Sequence, residues 1–157
     1  MFERVLLVLV GGLVGLFSSI FIVNYKDWKL KKRTACIMKR EIDNNLILIK
    51  DVIEEKIGYE FKNQVFLAYI KELPVLGHEL AIDILDWYYF LELEHDYWKG
   101  LMKKDLHGKL VEYHKTRKGK ELNEKWKNIF ENGVKIVTDL ETICYSHVNW
   151  KDILIGP

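Results

Sequence analysis

From Val5 to Val23 the chain runs nineteen residues without a charge, VLLVLVGGLVGLFSSIFIV. No other feature narrows its folding options so far. As a helix at 1.5 Å per residue the run measures about 28 Å, close to the roughly 30 Å hydrocarbon core of a bilayer. A helix on a soluble core buries one stripe and wets the other. One that is apolar on every side over this length has no wet face to offer. The rival is a cleaved secretory leader, which wants a positive start, a shorter apolar stretch and a small-x-small cleavage site. Here the start, MFER, balances itself through Glu3 and Arg4, the run is too long, and bulky residues follow Ile20. Residues 1–25 are therefore expected to be a transmembrane anchor.

The flanks of the run set its expected orientation. Arg4 before it is offset by Glu3, whereas Lys26, Lys29, Lys31, Lys32 and Arg33 after it face only Asp27. Lys and Arg collect on the cytoplasmic side of a span. The expectation is a single-pass protein of the cell membrane, with its N-terminus outside and its C-terminal domain cytoplasmic. Tyr25 and Trp28 are placed to sit at headgroup level with the five basic residues, which attract anionic lipid. Inside the run, Gly11, Gly15 and Ser19 recur every fourth residue. Small residues in register let two membrane helices approach closely. They point to self-association or to docking on another membrane protein, set against the ordinary abundance of Gly in such helices.

The remaining residues have room for one domain but not comfortably two. Only Pro74 and Pro157 break the chain, which favours long helices. A helix is expected from about Trp28 to Glu55, with Met38, Ile42, Asn45, Leu46, Ile49 and Ile53 at three- and four-residue steps. No Pro or Gly separates it from the membrane run, so the two can be continuous, and Gly58 is the expected stop. A short helix follows over Lys62–Glu72. Pro74 is expected to seat in the first turn of a third helix reaching Met102, with Leu80, Ile84, Trp87, Leu91, Trp98 and Leu101 as its stripe. The last helix covers about Lys120–His147 on Leu122, Trp126, Ile129, Phe130, Val137, Leu140 and Cys144. Gly133 falls on that same face, where close packing by a neighbour would account for it.

The expected fold is all-α: a transmembrane helix, then an antiparallel bundle of about three long helices and one short one over residues 26–147. Residues 148–157 form a C-terminal tail. Its Trp150, Ile153, Leu154 and Ile155 suggest that it packs on something.

Signals for chemistry are thin. Formal net charge is +1, which argues against a uniformly basic nucleic-acid binder. Between Lys99 and Lys120 eight basic residues outnumber two acids, a pattern of an anion-binding site or of a solvated connection. Tyr113 is its one aromatic, too few for base stacking. Glu92 and His95 make one Glu-x-x-His, where a di-iron bundle needs two. Cys144 and His147 lie three apart, as compatible with packing as with a dyad. No GxSxG occurs, and GGLVG lacks the lysine of a phosphate loop. Cys36 and Cys144 belong to no CxxC and fit two reduced thiols on helix faces. No catalytic, cofactor-binding or metal-ligating residue is assigned.

Two further features concern packing and partners. Of Asn44 and Asn45, one is expected to face the interior, where a hydrogen-bonded amide fixes register. The aromatic run Trp87, Tyr88, Tyr89 and Phe90 is expected to be mostly core, with the rest a surface for a partner or ligand.

The order of features also carries a resemblance. A single span and a basic patch precede Glu41, Ile42, Asn45 and Leu46. Leu73, Pro74 and Leu76 then lead into Tyr88 and Leu91. The chain resembles a loose group of small prokaryotic membrane-anchored helical proteins of unassigned function. That resemblance implies the anchor and the helical domain, and no catalytic residue.

The expected role is a non-enzymatic accessory, scaffold or regulatory protein, such as a small subunit of a membrane complex. Its expected partners are the lipid bilayer and a protein, itself or another. The alternatives are a tethered sensor domain with a ligand pocket beside Trp87 and Tyr88, and a membrane-bound metal-dependent enzyme centred on Glu92 and His95.

Overall fold

The computed structural model describes residues 2–54, 61–102, 117–148 and 153, without the side chains of 2–5, 97–102 and 117–119. Among the described residues there are four α-helices: α1 (Phe2–Ile53), α2 (Gln64–Tyr69), α3 (His78–Met102) and α4 (Arg117–Cys144). A 3-10 turn, Leu73–Leu76, stands between α2 and α3. There is no strand among the described residues.

The apolar run and the first domain helix are one element. Fifty-two residues of α1 rise without a break, about 78 Å at 1.5 Å per residue. Its two halves do different work. None of the apolar window near the N-terminus is buried within the chain, and by length and composition α1 can cross a membrane. From Ala35 onward the same helix lines the core with Met38, Ile42, Leu46, Ile49 and Val52.

α4 packs along this second half. Lys32 meets Ser146, Cys36 meets Cys144, Lys39 meets Glu141, and Leu46 lies against Gly133. As numbers rise on one helix they fall on the other, so the two run in opposite directions. α4 contributes Leu122, Trp126, Ile129, Ile136 and Leu140 to the core, and α3 contributes Ala81, Ile84, Trp87, Tyr88 and Leu91. Every one of these sits at the three- or four-residue steps of an amphipathic helix.

Gly133 lies at the closest approach. A Cβ there would stand 2.7 Å from Leu46 Cδ2 and 2.8 Å from Trp87 Nε1. The missing side chain lets the indole lie on α4 and donate its N–H to the Ile129 carbonyl at 2.8 Å.

The start of α3 differs from the expected one. Pro74 occupies the 3-10 turn rather than the first turn of α3. Gly77 then takes φ +107°, a conformation from which L side chains are nearly excluded, and the chain turns into His78. Leu73 and Leu76, both buried, pin the turn to the core. The short second helix is also narrower than Lys62–Glu72: at its start the backbone N–H and carbonyl of Lys62 are both taken by Asn45 of α1. At the other end α4 stops at Cys144, before His147.

The cysteines differ from the expected pair of free thiols. Cys36 and Cys144 have Cα atoms 5.2 Å apart and are joined as a disulfide across 108 residues of sequence. From the tail, Ile153 is described. It is buried, and its carbonyl accepts the Asn24 side-chain N–H at 2.7 Å, where the apolar run of α1 ends. The expected stop at Gly58 lies outside the described residues.

Candidate functional site

Glu41 is the centre of the polar interior. It is buried on α1, and its carboxylate accepts the N–H groups of Val65 (2.8 Å) and Phe66 (3.0 Å) and the Tyr88 hydroxyl (2.6 Å). Asn63, at the N-cap of α2, makes no side-chain cap bond. Glu41 supplies that cap from another helix, a carboxylate against the positive end of the backbone dipoles.

One turn on, Asn45 donates to the Lys62 carbonyl at 2.7 Å and accepts the Lys62 N–H at 2.9 Å. Of the two asparagines Asn45 is therefore the interior one, and Asn44 is exposed. Tyr88 stacks on Phe66 with ring centroids 4.1 Å apart. Burial first, then the bond to Glu41, raises the Tyr88 hydroxyl well above the usual phenol range.

The aromatic run divides by helix geometry. Trp87 and Tyr88 point inward, while Tyr89 (63% exposed) and Phe90 (50%) point out. The outward pair belongs to a wider surface. Ile82 (41%), Leu85, Tyr89 and Leu93 (52%) follow at steps of three, four and four, an apolar stripe along the outer side of α3.

Two clefts border α3. The larger, about 580 Å3, lies between α3 and residues 61–67, with Phe61, Phe66, Tyr88, Leu91, Glu92 and His95 on its walls. The smaller, about 210 Å3, lies between α3 and α4 and is lined by Asp83, Asp86, Trp87, Phe90, Ile129 and Ile136 among others. Neither is a void beside both Trp87 and Tyr88, since Leu46 and the backbone at Gly133 fill the space on the α4 side of the indole.

Glu92 and His95 share the larger cleft with Asp96, and Phe61 stands edge-on to His95 at 5.0 Å. Among the described residues no three His, Cys, Asp or Glu side chains converge as metal ligands would. Cys144 and His147 do not share a helix, and the Cys144 sulfur is bonded to Cys36.

On α1, a side chain added at Gly11 or Gly15 would meet nothing within 4 Å. The Ser19 hydroxyl bonds back to the Gly15 carbonyl. Just beyond the apolar run Tyr25 stacks between Phe21 and Trp28. Lys32 lies over the Trp28 ring at 5.2 Å and donates to the Ser146 carbonyl at 3.0 Å. Arg33 reaches the Tyr69 hydroxyl at 3.2 Å. Lys26 and Lys29 are exposed, and Lys31 is half-buried. The basic stretch from Lys99 to Lys120 lies mostly outside the described residues.

Three groups escaped the sequence: Glu41 as a helix cap, the disulfide, and the outward stripe of α3. The stripe was the most accessible of these. Ile82, Leu85, Tyr89 and Leu93 recur at helical steps on the side opposite Ile84 and Leu91.

Compared with family models, curated proteins and solved structures, the chain matches none.

Proposed function

We propose that this chain is a membrane-anchored, non-enzymatic accessory protein, a scaffold or regulator such as a small subunit of a membrane complex. Its α1 crosses the bilayer over the apolar run, and α1, α3 and α4 form an antiparallel bundle just beyond it. The observation that carries this reading is the contrast within α1: among the described residues none of the apolar window is buried, while the same helix from Ala35 lines the core. A signal sequence passes the same test of length and composition. Uncleaved full-length chain in the membrane pellet distinguishes the two. Gentle purification with the span intact, followed by identification of bound proteins, tests the accessory role. A lone monomer that turns over a substrate ends it.

The basic residues from Lys26 to Arg33 support a cytoplasmic domain. In that compartment the Cys36–Cys144 pair is held reduced. The disulfide pairing favours a second placement, with the domain on the oxidising side. Maleimide labelling of intact and permeabilised cells, with and without prior reduction, separates them. Labelling of both thiols only after permeabilisation, and without reductant, supports the cytoplasm.

The larger cleft favours a second functional reading, a tethered sensor. Its volume of about 580 Å3 is that of a small-molecule site. Tyr88→Ala opens this cleft further. A ligand whose binding survives that change unaltered does not use it.

A further inference from the structure

We propose that the outer face of α3 docks an amphipathic helix of a protein partner, one whose apolar residues are flanked by Lys and Arg. The inference rests on the accessory reading above and adds to it the chemistry of the partner.

The face has the pattern of a helix-binding surface. Its apolar ridge, Ile82, Leu85, Tyr89 and Leu93, follows helical steps and is exposed throughout. Single exposed apolar residues are ordinary, but a contiguous row rimmed by polar groups marks an interaction site. Phe90 extends the ridge toward α4, where it forms one wall of the 210 Å3 groove.

Charge selects the occupant. From His78 to Asp96, α3 carries Glu79, Asp83, Asp86, Glu92, Glu94 and Asp96 and no Lys or Arg. Glu94 is buried and paired with Lys125 at 2.8 Å. The other five make no ion pair among the described residues. On an ideal helix Glu79, Asp83 and Asp86 fall on one side of the ridge and Glu92 on the other, while Asp96 continues the ridge line one turn past Leu93, so acids border the ridge on both sides and at its end. A helix with apolar anchors and basic flanks satisfies ridge and rims together. The groove holds Lys135 of α4 as well as Asp83 and Asp86, two carboxylates to one ammonium, so it keeps a net negative charge for the head of a partner's Lys or Arg whose stem lies on Phe90 and Ile136.

The same charges weigh against other occupants. An anionic membrane surface repels the rims. Distance opposes it as well: Tyr88 bonds Glu41, eighteen residues past Val23, about 27 Å along α1. A second copy joined face to face would set each acidic rim against itself, because a two-fold contact uses the same patch on both sides.

The test uses the full chain in discs of uncharged lipid. The probe is a short synthetic helix with Leu at three- and four-residue steps, Lys elsewhere and a photoreactive group. Controls are a Glu-for-Lys version, a shuffled version and empty discs. The expected result is crosslinking within residues 79–96, binding that weakens with salt, and no binding of the Glu version.

Joint Tyr89→Ser and Leu93→Ser substitution is expected to lower affinity about tenfold or more, and Asp83→Asn with Asp86→Asn about three- to tenfold. All four side chains are exposed, so melting temperatures should hold. Should the serine variant melt early, the asparagine variant and the crosslink map decide. Equal binding of the Glu or shuffled probe, crosslinks elsewhere, or indifference to either double substitution overturns the proposal. So does self-association of the chain that the serine pair abolishes, since the occupant is then a second copy. A chain that stays in the membrane and co-purifies with a protein bound elsewhere refutes this site alone. A monomer in the aqueous fraction refutes the accessory reading with it.

Discussion

Glu41 shows how one side chain can organise a fold. Its two oxygens accept three hydrogen bonds from two other parts of the chain. Glu41→Gln replaces one acceptor with a donor that faces donors already present. The expected cost is about 1–3 kcal/mol, read as an earlier melt of the full chain in detergent. Tyr88 gives a pH test. Its hydroxyl is raised in the folded state, so its contribution is whole below the unfolded value of about 10 and is lost as pH climbs beyond that. Tyrosinate absorbance should show at least one of the eight tyrosines silent until the protein unfolds in alkali. A Tyr88→Phe variant should titrate without that late step. At Gly133 the contact distances leave no room for a methyl group. Gly133→Ala gains helix propensity but must displace Trp87 or Leu46, so a net loss of about 1–2 kcal/mol is expected in the same melt. The sequence already marked Gly133 and the Asn44–Asn45 pair, because each breaks an amphipathic pattern where a helix should continue. It could not mark Glu41, since an acid at an interior position looks like any surface acid until its partners are known.

At the scale of elements, periodicity located every long helix, because burial of one face repeats at fixed steps. Local geometry set the ends, and the ends moved. Pro74 was legible as a boundary but not as a member of a 3-10 turn, and the change of direction falls at Gly77 instead. Gly77→Ala is expected to cost about 1–3 kcal/mol, since its φ and ψ suit glycine almost alone. A melt unchanged by that substitution would show that the turn relaxes into another conformation. The continuity of α1 followed from the absence of breakers between Val23 and Trp28. The outer stripe of α3 was half legible: the excess of aromatics at 87–90 was plain, but which two face outward depends on how α3 is rotated against α4.

In the whole molecule, the disulfide joins the two longest elements. Closing so long a loop restricts the unfolded chain, and about 2–4 kcal/mol of stability is expected from it. Reductant should lower the melting temperature of oxidised protein, and Cys36→Ser should lower it equally and abolish the response to reductant. Two cysteines separated by 108 residues carry no spacing signal, so only the pairing of α1 with α4 reveals that they meet.

The unbroken rise of α1 has a mechanical corollary. No hinge separates the apolar run from the core, so in the membrane placement proposed above the two halves would form a lever with its pivot at the headgroups. From Asn24 to Ile53 its outer arm is about 45 Å, so a tilt of about 10° within the lipid swings the far end by about 8 Å. In that placement, thinning, thickening or crowding of the bilayer would be converted into displacement and rotation of the acidic flank of α3.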